Sequence, residues 1–203
     1  MKKFKIFILF GALLAIPAVN YAQAFEDGTN LISLGFGLPP GQQLTSQYDQ
    51  IPNHTDYSIK NYGTGVLKYE HGLHKYFGIG LNFEYSGSKA VYKYDNVSNT
   101  TYHYEVDINR SVIGGYLRMN GHYPIGEKLD FYGGVGLGYL YRLDNYVDTN
   151  PNANNTTNHK NTFLDFDYQI TLGARFMVKK GFGLFAEIGK ATTLCQVGIQ
   201  LKF

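Results

Sequence analysis

The sequence predicts an all-β chain: an eight-stranded antiparallel up-and-down transmembrane β-barrel, preceded by a cleavable signal peptide. Three observations predict it. Apolar side chains recur at every second position in eight separate runs, which is the period of a strand and not of a helix. The opposite face of those runs is rich in Gly, Ser, Asn, Gln and charged residues. The closing decapeptide LCQVGIQLKF alternates right up to Phe203.

The leader is the first element. In MKKFKIFILFGALLAIPAVNYAQA, three lysines (Lys2, Lys3, Lys5) precede an apolar run from Ile6 to Ile16, and small residues follow to Ala22-Gln23-Ala24. This is the order of a secretory leader. The apolar run falls short of the roughly 20 residues that a spanning helix needs. Cleavage is expected after Ala24, with Ala22 as the alternative, which divides the chain into a signal peptide (1–24) and a barrel domain (25–203). No cysteine stands at that site, so a lipoprotein is not expected.

The runs follow in order. NLISLGFGL (30–38) sets Ile32, Leu34, Phe36 and Leu38 on one face. GVLKYEH (65–71) opposes Leu67 and Tyr69 to Lys68 and Glu70. FGIGLNFEYS (77–86) opposes Phe77, Ile79, Leu81, Phe83 and Tyr85 to Gly78, Gly80, Asn82 and Glu84. VIGGYLRMNGHY (112–123) opposes Ile113, Leu117, Met119 and Tyr123 to Tyr116, Arg118, Asn120 and His122. FYGGVGLGYLYR (131–142) opposes Phe131, Val135, Leu137, Tyr139 and Tyr141 to Tyr132, Gly134, Gly136 and Gly138. FLDFDYQITLGARFMV (163–178) opposes Leu164, Phe166, Tyr168, Ile170, Leu172 and Phe176 to Asp165, Asp167, Gln169 and Arg175. GFGLFAEIGK (181–190) opposes Phe182, Leu184 and Ile188 to Gly183, Phe185 and Glu187. The last run sets Cys195, Val197, Ile199, Leu201 and Phe203 against Gln196, Gly198, Gln200 and Lys202.

Side-chain size decides which face is inside. Eight strands enclose little room, so the large Phe, Tyr, Leu and Ile side chains of all eight cannot point inward together. The glycine-rich polar face can. The barrel is therefore expected to be apolar toward lipid and polar within. Charges agree, because the apolar faces of these runs carry none short of Lys190, the last residue of its run, whereas one Lys or Arg there would cost roughly 2 to 4 kcal/mol at the bilayer midplane. Lys68, Glu70, Glu84, Arg118, Arg175 and Glu187 share the inward face and are expected to form a lumen ion-pair network, because lone buried charges are costly. Arg118 and Arg175 are expected to meet Glu84 and Glu187.

Composition is consistent. Only 17% of the 203 residues are charged, below the quarter typical of soluble domains. The 24 Gly, 18 Tyr and 14 Phe suit strands and turns. A net charge of +2 argues against nucleic acid or another polyanion as partner. The single Cys195 excludes an internal disulfide.

The connections alternate in length. Residues 39–62, 88–101 and 143–161 are long and polar, while 72–76, 124–128 and 179–181 are short. Barrels of the outer membrane place long loops outside and short turns in the periplasm. The segment 190–193 should also lie outside, although it is short. Within 90–108, Tyr92, Tyr94, Tyr102 and Tyr104 alternate out of phase with the strands below. Bulges near Gly87-Ser88 and Arg110-Ser111 would account for the shift, making a tyrosine-rich ribbon suited to recognition. The Asn-rich stretch 148–161 is expected to be mobile.

The ending resembles the β-signal of Gram-negative outer-membrane proteins: a terminal aromatic, Phe203, preceded at alternate positions by Leu201, Ile199, Val197 and Cys195. By that resemblance it is read by the barrel assembly machinery. Leader, eight runs, loop pattern and ending together resemble the small eight-stranded outer-membrane proteins of the OmpX and OmpA-barrel type, over residues 25–203. The resemblance is one of architecture. It implies a monomer in outer-membrane lipid, with loops that meet extracellular proteins, and a protruding sheet of this kind is proposed to bind proteins in OmpX-like members. Larger OmpA-type proteins add a peptidoglycan-binding domain, which nothing after Phe203 supplies.

Catalytic readings are weaker. GGVGLG (133–138) has dinucleotide-loop spacing but no helix pattern after it. His71 with His74, and His103 with Glu105, fall short of the three or four converging ligands of a zinc site. Lipid-remodelling barrels use a Ser with a His and a carboxylate. No H-x-S or G-x-S-x-G pattern occurs here. The expectation is a non-enzymatic barrel without metal or cofactor, acting structurally or in surface interaction. A lipid-modifying enzyme and a narrow channel are the rival readings.

Overall fold

A computed structural model describes residues 24–38, 54–98, 100–148 and 158–203. Among them are eight strands: β1 (Asn30–Leu38), β2 (His54–His74), β3 (Phe77–Ser98), β4 (Thr100–Ile125), β5 (Leu129–Asp148), β6 (Asn158–Lys179), β7 (Phe182–Lys190) and β8 (Cys195–Lys202). Each pairs antiparallel with its neighbours in the chain, and β1 pairs with β8 to close the ring. Closure leaves no strand edge within the barrel wall, which a hydrocarbon environment demands. Most of the expected leader and most of the Asn-rich connection lie outside the described residues.

The wall is inside out. Leu137, Leu172 and Val197 are 62%, 66% and 61% exposed on the outer surface, while Gln169, Glu187 and Arg118 are 1%, 2% and 3% exposed within. An apolar belt of this extent would aggregate in water and matches the lipid-facing band of an outer-membrane barrel. Glycines make the charged lumen fit. A Cβ on Gly134 would stand 2.2 Å from Arg118 Nη2, and one on Gly138 would stand 1.9 Å from the Gly115 carbonyl oxygen.

Strand lengths are unequal. β1, β7 and β8 have 9, 9 and 8 residues, while β3 and β4 have 22 and 26. A membrane-spanning strand needs about 9 to 11 residues, so β2 to β6 overshoot the membrane. They do so at the end away from the short turns, beyond Gly37↔Thr64, the last pairing of β1 with β2. Three connections expected as loops are therefore partly strand. Residues 39–62 give way to β2 at His54, 88–101 to a hairpin paired up to Ser98↔Thr100, and 143–161 to pairing up to Val147↔Asn158. Polar composition marked these segments as loops, yet ladder hydrogen bonds join polar and apolar residues alike.

The expected bulges near Gly87-Ser88 and Arg110-Ser111 are not there. β3 and β4 stay in unbroken register through Gly87↔Ser111 and Ser88↔Arg110. What changes is the medium. Below, even-numbered residues of β3 and β4 face the charged lumen. Above the membrane the same even face carries Ala90, Val106 and Ile108, all buried, with Ile59, Tyr92 and Tyr146 packed against them. The apolar alternation changes face because water replaces lipid outside. A real irregularity lies in β2, between Asn61↔Ser88 and Thr64↔Ser86, where Tyr62 and Gly63 together oppose Gly87. Gly63 has φ +81°, a conformation that favours glycine.

Candidate functional site: a sealed lumen beneath a protruding sheet

Two charge clusters fill the lumen. In the first, Glu187 of β7 accepts from Lys68 Nζ of β2 at 2.7 Å and from Arg118 Nη1 of β4 at 2.8 Å. The Tyr132 hydroxyl (3.0 Å) and the Gln196 amide (2.7 Å) also donate to it. In the second, Glu70 accepts from Arg175 Nη2 at 2.7 Å and from the Asn120 amide at 2.6 Å, and lies 2.7 Å from His122 Nε2. Asp130 lies 2.8 Å from His122 Nδ1 and 3.4 Å from Arg175 Nη1.

The expected partnering needs correction at Glu84 and Arg175. Glu84 meets no arginine; its Oε1 accepts from the Asn82 and Gln169 amides, each at 2.8 Å. Register explains this. Arg118 stands opposite Gly80, four residues from Glu84, or about 13 Å along a strand. Arg175 stands opposite Asp130, nearer the short-turn end, where Glu70 is within reach. His122, Asp130, Asn82 and Gln169 complete the network and were not singled out from sequence, although alternation had put His122, Asn82 and Gln169 on the inward face.

Among the described residues, side chains cover both ends. At the short-turn end, Ala24 and Phe25 are fully buried. The Phe25 ring stacks on the His122 imidazole at 3.6 Å and 10°, and Glu26 pairs with Lys202 at 2.7 Å. No periodic signal precedes the first strand, so sequence gave no hint of this cover. At the other end the Tyr116 hydroxyl donates to Asp167 at 2.9 Å and lies 3.2 Å from the Thr192 hydroxyl, and Lys190 pairs with Asp167. Between them, the cavity bordered by Lys68, Glu70, Arg118 and Glu187 measures only about 20 Å³, room for a single water.

The remaining candidates are dispersed. Cys195, Val197, Ile199, Leu201 and Phe203 lie along β8 and its end. The Phe203 backbone exchanges hydrogen bonds with Asn30, at 3.0 and 3.1 Å, and so joins the seam that closes the barrel. His71 Nδ1 lies 3.0 Å from Asn30 Oδ1 and His74 Nδ1 accepts from the Tyr76 amide. Tyr92 is half-buried on the inner face of the sheet above the membrane. Tyr94 and Tyr102 and Tyr104 sit in paired strands (Tyr94↔Tyr104, Asn96↔Tyr102), but their side chains, like that of His103, lie outside the described residues.

Above the membrane, β2 to β6 form a five-stranded sheet. At its base Arg110 donates two hydrogen bonds to Asp144, from Nε to Oδ1 and from Nη2 to Oδ2, both 2.7 Å. On the outer face Lys89 pairs with Asp107 at 2.9 Å, and that hydrogen bond holds the ammonium above its ordinary pKa. Among the described residues, β2 above Thr64 and β6 above Ile170 each have a strand neighbour on one side only.

Residues 8–195 match the family model described as outer membrane protein beta-barrel domain. No curated protein matches the chain. Among solved structures, the chain is similar to Ail, the attachment invasion locus protein of Yersinia pestis. The form in complex with the heparin analogue sucrose octasulfate is 12% identical, with a TM-score of 0.46 over 87% of this chain and 96% of that one. A second Ail structure is 14% identical, with a TM-score of 0.42 over 87% and 95%.

Proposed function

This chain belongs to the outer membrane protein beta-barrel domain family, and from that premise we propose that it is a non-enzymatic surface-interaction protein. It is exported by residues 1–24 and inserted by the assembly machinery of a Gram-negative outer membrane. Residues 25–203 form a monomeric barrel, with the short turns in the periplasm and the five-stranded sheet outside the cell.

The observation that carries the proposal is that sheet. Strands β3 to β6 continue past the apolar belt in unbroken register, β2 joins them across its bulge, and the sheet has its own small apolar core. It is built as a rigid platform and not as a connection. Among the described residues, β2 (54–63) and β6 (158–169) each lack a strand on one side, where their ladder groups can take up an extended segment of another protein.

Two features support the absence of catalysis and transport. Both nitrogens of His122 face carboxylates, Glu70 and Asp130, and Phe25 covers its ring, so it has no nitrogen left to activate a hydroxyl. The charge clusters occupy the lumen among the described residues, and the cavity beside Lys68, Glu70, Arg118 and Glu187 has room for about one water, which supports a barrel without an open channel.

The test is a variant in which the hairpin is shortened by removing 91–106 and rejoining β3 to β4. It should retain the heat-dependent gel mobility of a folded barrel. It should also lose the adhesion of expressing cells to protein-coated surfaces. Adhesion that persists at the wild-type level overturns the reading. Altered acyl chains in membranes that contain the wild-type protein would establish the enzyme instead.

A further inference from the structure

Cross-strand register aligns five residues on the outer face of the sheet: Lys60↔Lys89↔Asn109↔Asn145↔Lys160. This is the first outward row beyond the membrane belt that has no apolar side chain. Two rows below it stand Tyr85, Ile113, Tyr141 and Leu164, and between them runs a mixed row of Tyr62, Gly87, Ser111, Leu143 and Thr162. With strands about 4.8 Å apart, the five residues span about 19 Å. Barrel strands tilt by about 35 to 45°, so the row climbs obliquely from the edge of the hydrocarbon into the headgroup layer.

Three facts set this row apart. It carries three ammonium groups and two amides, and no carboxylate. Lys60 and Lys89 stand directly opposite each other, an arrangement that destabilises a sheet by like-charge repulsion unless an anion lies between them. Asp107 takes one donor of Lys89, while Lys60 and Lys160 have no ion-pair partner among the described residues. Finally, Lys60 faces outward because of the extra residue at Tyr62-Gly63. Without it the β2 alternation would turn Lys60 inward and Ile59 outward. Re-aiming a side chain is a common consequence of a bulge. Lys60, Lys89 and Lys93 line a cleft of about 340 Å³ together with Ser58, Tyr62, Val91 and one carboxylate, Glu105, which stands opposite Lys93 in the ladder.

We propose that this row is a docking surface for the phosphorylated sugar headgroups of outer-leaflet lipid. Lys60 and Lys89 hold one phosphate between them, Lys160 holds a second, and the Asn109 and Asn145 amides donate to headgroup oxygens in between. Tyr62, 61% exposed, sits at the hydrocarbon edge as interfacial aromatics do and fixes the depth of the cleft. From the proposed function this takes only the orientation of the barrel.

The test measures retention of diphosphorylated lipid A, and of the same lipid with its phosphates removed, by the purified barrel in detergent. The wild type should prefer the phosphorylated lipid, and raising the salt should release it. The triple variant K60Q/K89Q/K160Q should lose at least about tenfold in retention, while K60R/K89R/K160R keeps it. Heat-dependent gel mobility verifies that each variant is folded, and the salt titration needs no variant. Equal retention of the two lipids, or full retention by the glutamine variant, overturns the proposal. Displacement of the lipid by millimolar inorganic phosphate also overturns it, since the site would then be one for free phosphate. The control K75Q/K128Q/K180Q changes lysines of the short turns. If the control alone loses lipid, the orientation is reversed and the proposed function falls with it; if neither triple loses lipid, only the docking surface fails.

Discussion

Glu187 of β7 and Arg118 of β4 meet across the lumen at 2.8 Å, although 69 residues separate them in the chain. Lys68 of β2 reaches the same carboxylate. These strands are not neighbours in the wall, so the contact can form only once the barrel has curved and closed. It is a fastening of the closed state and not of any one hairpin.

Glu187→Gln leaves two buried cations without their shared anion. Removing one partner of a buried pair costs about 3 to 5 kcal/mol. Urea unfolding in micelles should show a loss of that order. A change below about 0.5 kcal/mol, within the range of an exposed pair, means that the lumen is wet.

Glu84→Gln is the matched control. Glu84 is as buried as Glu187 but bonds only to amides, so the substitution removes no cation's partner. The same assay should give a cost near that of a single hydrogen bond, about 1 kcal/mol. Equal losses for the two variants would falsify the division of labour between these carboxylates.

Phe25→Ala removes a fully buried ring. A core Phe→Ala change costs about 3 to 5 kcal/mol, and here it also uncovers the His122 imidazole. Modification of His122 by diethyl pyrocarbonate should be slow in the wild type and fast in the variant. Equal rates mean that Phe25 does not cover the lumen in solution.

The lumen should not conduct. Reconstituted in planar bilayers, the wild type should give no steady current, because barrels with open aqueous channels have many more strands. A reproducible nanosiemens-scale opening contradicts a sealed barrel.

Deleting Phe203 should impair assembly more than stability. Its side chain is 49% exposed, and its backbone adds one pair of bonds to the closing seam. In cells the outer-membrane level should fall sharply, while the same variant still refolds in detergent. Normal insertion in cells means that the ending is a strand and no signal.

Much of the wall was legible in the sequence. Gly136-Leu137-Gly138-Tyr139 tells a reader which way each side chain points, because period two is strict and the two faces differ in size. The partners inside were not legible. Whether Arg118 reaches Glu84 or Glu187 depends on the stagger of strands around the ring, and alternation carries no information about stagger. Phe25 escaped notice because a single aromatic before the first strand has no period. The phase of Tyr92 was misread for a physical reason: a change in which face is apolar was taken for a change in geometry, when only the surrounding medium had changed.

The unbroken β3–β4 ladder also limits how such a hairpin can change in length over evolution. Adding or deleting one residue in each strand would turn every side chain beyond that point through the wall, driving Ala90 and Ile108 outward and Lys89 into their place. Changes of two residues per strand preserve both faces. The platform can therefore lengthen or shorten in steps of two without disturbing the charges in the barrel below. An odd step must be absorbed locally, and β2 shows how: one extra residue beside a glycine that can take a positive φ. Insertions and deletions among relatives should therefore be even in number in β3 and β4, with odd ones gathered around the position of Gly63.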